Sequence, residues 1–136
     1  MKKQTRSEAR RAAFTQVFQM KQHMDELEMI LGYMLEELPR CNDNLGYISA
    51  VVNGVKEHDA EIEEIISQNL KKGWTINRIS KVSAAALKVA VFEMKYMDDV
   101  PHKVAINEAV ELVKKYGAEE DPAFVNGVLG SIMKTL

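Results

Sequence analysis

The 136 residues predict an all-α protein, a compact bundle of about seven helices. Three observations lead there. Apolar residues recur at three- and four-residue spacing through almost the whole chain, no alternating run is flanked by hairpin turns, and Pro and Gly fall where they punctuate helices. With 46% hydrophobic residues, the chain is long enough for one compact domain and too short for a comfortable two-domain enzyme.

The elements follow in order. Lys2 and Lys3 form a loose arm. Thr5 with Glu8 three residues later makes a capping box, so a first helix is expected from about Arg6 to Gln22 with Phe14, Val17 and Phe18 inward. Asp25 caps a second helix whose Leu27, Ile30, Leu31, Met34, Leu35 and Leu38 form a stripe ended by Pro39. Asn44 starts a long helical region carrying Leu45, Ile48, Val52 and Val55, then Ile62, Ile65, Ile66 and Leu70, with a break around His58 and an end at Gly73. From Lys81 to Met97 apolar residues lie on several faces, the pattern of a central helix packed on more than one side. Pro101 suits a helix start, Ile106, Ala109, Val110 and Val113 share a face, and Gly117 is placed for a left-handed stop. Asp121 and Pro122 read as N-cap and first residue of a last helix, with a stripe of Val125, Val128, Leu129, Ile132, Met133 and Leu136.

Charge is uneven. The net charge is −2, yet residues 1 to 22 hold six Lys or Arg against only Glu8, while the remainder has 12 basic and 19 acidic residues. Arg6, Arg10 and Arg11 occupy the first two turns of the first helix, where the helix dipole is already positive. Cations there lose roughly 0.3 to 1 kcal/mol each, which suits a site for an anion such as a phosphate backbone. Because Arg10 lies near Phe14 around the helix, the opening turns are expected to overhang the body. The alternative is a set of solvated charges at a frayed end.

Other candidates are weaker. Phe124 falls about 100 degrees from Val125, at the edge of the buried stripe, where it can stack on an unpaired base or fold onto a neighbouring helix. Asn107 and Asn126 read as buried or half-buried amides tying helices together by hydrogen bonds. Asp98, Asp99, Glu119, Glu120 and Asp121 read as solvated loop charge rather than a metal site, and His23, His58 and His102 are mutually isolated. Cys41 can form no internal disulfide and has no paired histidine, and no segment has the length of a membrane span or the pattern of a signal peptide, so a cytoplasmic protein is expected.

The run VPHKVAINEAVEL at 100 to 112, followed after a short loop by FVNGVL at 124 to 129, resembles the signature of the NusB transcription antitermination family, and KVSAAALKVAVFEM resembles its central helix. The resemblance extends from Arg6 to about Met133. It implies one all-helical RNA-binding domain with helical subdomains at about 1 to 73 and 74 to 136, no cofactor, no metal and no catalytic residues. The implied role is to grip boxA-type single-stranded RNA of ribosomal RNA operons together with NusE, a small-subunit ribosomal protein, and to keep RNA polymerase elongating. It places Lys2, Lys3, Arg6, Arg10, Arg11 and Phe124 on RNA. It places the NusE contact on the start and flank of the central helix, at Asn77, Arg78, Ser83, Leu87 and Lys88. Ser7, Glu8 and Ala123 depart from the more basic residues common in the family, and Ser83 and Ala84 from the usual charged pair. NusB-like domains also occur fused to ribosomal RNA methyltransferases, but helices use up this chain and leave no Gly-rich turn after a strand for S-adenosylmethionine. A purely protein-binding helical adaptor is the remaining alternative.

Overall fold

The computed structural model describes residues 4–20 and 44–136. Among the described residues there are six α-helices and no strand: α1 (Arg6–Met20), α2 (Leu45–Glu57), α3 (Asp59–Gln68), α4 (Lys81–Tyr96), α5 (His102–Tyr116) and α6 (Asp121–Met133), with a 3-10 turn at Ile76–Arg78. The helix expected from Asp25 to Leu38, together with Lys2, Lys3, His23 and Cys41, lies outside the described residues.

Local chemistry accounts for most boundaries. The capping box at the start of α1 is reciprocal: the Thr5 N–H donates to Glu8 Oε1 at 3.0 Å and the Glu8 N–H donates to Thr5 Oγ1 at 3.0 Å. His58 separates α2 from α3, as the pattern suggested. Ser80 caps α4 by accepting from the Ser83 N–H at 3.0 Å.

The two glycine stops need correction. Helix α3 ends at Gln68, and Gly73 instead provides the left-handed residue (φ 88°) of the turn that follows. Gly117 is extended rather than left-handed (φ −101°, ψ −174°). Its need for glycine is steric, since a Cβ would sit 2.6 Å from Asp121 Oδ2 and 2.8 Å from the Val113 carbonyl.

Helix α4 is the hub and packs against all five other described helices. Its Ala85, Ala86 and Ala90 let neighbours approach closely, while Leu87, Val89 and Val91 fill the spaces between them, all buried. Burying each of the larger side chains contributes about 1.5–3 kcal/mol. Helix α5 adds a stripe of Ala105, Ile106, Ala109, Leu112 and Val113, and α6 adds Val125, Val128, Leu129 and Ile132. Leu136, expected to extend that last stripe, lies beyond α6 and is 48% exposed.

Two ionisable residues sit in this apolar hub and are matched by opposite charges from other helices. Glu93 faces α1, and Lys88 reaches Asp59 Oδ1 at 2.7 Å and Glu63 Oε1 at 3.0 Å on α3. Such pairs tie α4 to α1 and α3 in one geometry, because leaving either partner alone strands a buried charge.

Candidate nucleic-acid interface

The basic start of α1 is built differently from its sequence expectation. Arg6 is exposed, and its guanidinium lies over the Tyr47 ring of α2, 4.3 Å from the centroid. Arg11 is half-buried and lines an open groove between α1 and α5 with Glu108, Glu111, Lys114 and Lys115. Neither makes an ion pair among the described residues.

Arg10 is the correction. It is only 3% exposed, with Nε donating to Glu93 Oε1 at 2.7 Å and Nη2 to Glu93 Oε2 at 2.8 Å, a bidentate pair. Nη1 lies 3.3 Å from Glu108 Oε1, and the Tyr47 hydroxyl donates to Glu93 Oε1 at 3.1 Å. Burial pulls the Arg10 pKa down, but the hydrogen bonds to Glu93 and the surrounding carboxylates outweigh it, so the net shift is upward. Burial, followed by the charge of Glu93, pushes the Tyr47 phenol up as well. Arg10 is thus a cation locked into the bundle, and the opening turns do not overhang: Ala9, one residue before it, is fully buried.

Glu93, Glu108 and Tyr47 were not singled out in the sequence, yet they decide which arginines stay free. A signal existed for Glu93. It is the one acid in an otherwise apolar stretch of the central helix, where an unpaired charge is too costly to bury. Glu108 also accepts from the Ser7 hydroxyl at 2.6 Å, fastening the first turn of α1 to α5.

Phe124 is half-buried against the core in the first turn of α6. The structure does not bring it beside Arg6. Asp121, which starts α6, accepts from Ser80 at the beginning of α4 (3.3 Å), whereas Arg10 meets α4 at Glu93. The two places are separated along α4 by about 20 Å at the helical rise per residue. Asp121 is itself buried and accepts from the Ala118 N–H at 2.9 Å, so it is a fold-holding group rather than solvated loop charge. Asn107 and Asn126, expected to tie helices together, are both exposed and make no side-chain hydrogen bond among the described residues.

The expected protein-partner face divides in two. Asn77 and Arg78 are exposed. Ser83 and Leu87 are fully buried, and Lys88 is 7% exposed and held by Asp59 and Glu63, so these three do not present a surface. Lys88 is covered by α3, and with five helices packed around α4, Ser83 and Leu87 are left no access to solvent. Among the described residues no group of three His, Cys, Asp or Glu could hold a metal ion, and no helix is long and apolar enough to cross a membrane.

Comparison with known proteins agrees with this architecture. The model of the NusB family matches residues 7–134. The transcription antitermination protein NusB of Clostridium novyi (strain NT) is 40% identical over 131 residues, covering 95% of this chain and 98% of that protein. The solved structure of T. maritima NusB superposes with a TM-score of 0.84 at 36% identity, covering 98% of this chain and 93% of the other. A crystal structure of the antitermination factors NusB and NusE in complex with dsRNA contains a chain that superposes with a TM-score of 0.82 at 27% identity, over 96% of this chain and 97% of that one.

Proposed function

This chain belongs to the NusB family, and from that premise we propose that it acts as a transcription antitermination factor that binds boxA-type single-stranded RNA of ribosomal RNA operons together with the ribosomal protein NusE, supporting processive elongation by RNA polymerase. It is an RNA-binding regulatory protein and not an enzyme. The observation that carries the reading is its likeness, over nearly its full length, to the NusB chain of a NusB–NusE–RNA assembly. Two accessible guanidinium groups on α1, Arg6 and Arg11, support it as phosphate contacts. Lys2 and Lys3 extend the same basic end, and Phe124 offers an aromatic edge for a base. Arg10 serves by holding α1 in place rather than by touching RNA. The NusE contact is assigned to the accessible part of the expected face, Asn77 and Arg78.

The test is an RNA titration at two salt concentrations, with and without NusE, using a boxA-type strand and the same strand paired as a duplex. Arg6→Gln with Arg11→Gln should weaken binding and lower the salt slope by about 0.7 per lost phosphate contact on a single strand. An affinity and slope equal to those of the unaltered protein would remove the α1 site, and preference for the duplex would replace single-strand recognition by recognition of helical shape.

A further inference from the structure

A second cationic surface lies outside α1. Between Glu64 and Glu93 the chain carries Lys71, Lys72, Arg78, Lys81 and Lys88 and no Asp or Glu. Lys88 is buried against α3, but the other four are exposed and make no ion pair among the described residues. In their midst stands Trp74, the only tryptophan of the chain and 51% exposed.

The fold holds this loop in place. Ile79 is buried and Ile76 packs against the core, anchoring the C-terminal side. Gly73, at φ 88°, and the Trp74 N–H bond to the Lys71 carbonyl (2.9 Å) set the turn from which the indole projects. The loop also flanks α6: Asn69 before it accepts from Ser131 at 2.7 Å, and Ser80 after it donates to Asp121 at 3.3 Å. It therefore lies at the same end of α4 as Phe124, about 20 Å along α4 from the Arg10–Glu93 pair.

The α1 groove contains Glu8, Glu108 and Glu111 among its cations. The loop segment contains no carboxylate of its own; those that face it, Asp121 at Ser80 and Asp59 beside Asn77 and Lys81, come from neighbouring helices at its C-terminal side. An exposed indole with unpaired cations before and after it in one short segment is chemically matched to a polyanion that has flat faces to stack, which describes an unpaired nucleic-acid strand. We propose that Lys71, Lys72, Trp74 and Lys81 form a second single-stranded RNA contact, bordering the Asn77 and Arg78 face given to NusE, in which Trp74 stacks on a base and the three lysines hold neighbouring phosphates. This rests on the RNA-binding reading and extends it: a strand gripped by α1 continues past Phe124 to the loop.

Because Trp74 is the sole tryptophan, its emission reports on this place alone. The full chain is titrated with a boxA-type single strand, with the same strand lacking bases, and with NusE alone, while labelled RNA reports total binding. The intact strand should quench the emission and the abasic strand should do so weakly. Trp74→Ala should lower RNA affinity roughly 5- to 100-fold, with Trp74→Phe retaining most of it and circular dichroism unchanged. Binding that depends on Arg6 and Arg11 while the emission stays constant would overturn the loop site and leave the function standing. Quenching by NusE and not by RNA would make the loop a protein contact and overturn the RNA assignment. Absence of any RNA binding would overturn both.

Discussion

Three residues on three helices, Arg10, Glu93 and Tyr47, form a buried polar cluster in which Glu93 is satisfied by Arg10 and Tyr47, and Arg10 by its bidentate pair with Glu93 and by the nearby Glu108. Removing one partner leaves the other uncompensated, so Arg10→Ala should destabilise the fold by about 3–5 kcal/mol, read from the urea midpoint. The loss should be nearly as large for Glu93→Ala, and the double variant should cost far less than the two together. Additive losses would mean the pair is not coupled. Tyr47 gives a pH signature. Its folded-state pKa lies above the usual 10.0, so the proton is held more tightly in the folded chain, and the stability this adds is present below that value and lost as pH rises through it. Stability should therefore fall on the alkaline side of about 10, and Tyr47→Phe should flatten that fall, as followed by thermal melting across pH.

At the scale of elements, the approach of α2 to α4 depends on Gly54. A Cβ there would lie 2.1 Å from Phe92 Cε1, inside the ring's own volume. Alanine would favour the isolated helix by up to about 1 kcal/mol, yet the forced shift of a packed ring should reverse the sign, for a net loss of about 1–3 kcal/mol. Phe92→Leu in the same chain should recover part of it, and a Gly54→Ala protein with an unchanged melting temperature would contradict the packing described. The α1 cap is a milder lever. Thr5→Ala should cost about 0.5–2 kcal/mol, because the Glu8 N–H loses its acceptor while the rest of α1 stays packed. These elements were legible in the sequence. The Thr5–Glu8 spacing, the His58 break and the central helix, expected from Lys81 to Met97 and found at Lys81–Tyr96, follow from interactions within a few residues of one another, while the Ser80 cap was not singled out. The ends at Gly73 and Gly117 were not, because a glycine marks a place where a side chain is excluded without saying whether dihedral angle or a neighbour excludes it.

For the whole molecule, within an overall −2, accessible cations stand at α1 and in the 71–81 loop, and others are spread over α2, α4, α5 and the residue after α6. If RNA and NusE occupy separate surfaces of one rigid bundle and also touch each other, NusE should tighten RNA binding, and RNA must then tighten NusE binding by the same factor. Calorimetry performed in both orders checks this, and an RNA affinity indifferent to NusE would remove the joint assembly. Sequence by itself determined that the chain is helical, where most helices begin, and which family its two signature runs belong to, because periodicity, caps and motifs are written in neighbouring residues. Tertiary structure alone decided which cations remain available. Arg10 differs from Arg6 only by one turn of helix, and what withdraws it from solvent is a carboxylate 83 residues further along the chain. The same long-range folding covers Ser83, Leu87 and Lys88 and leaves Trp74 in the open, since burial is fixed by what packs over a residue and not by the residue itself.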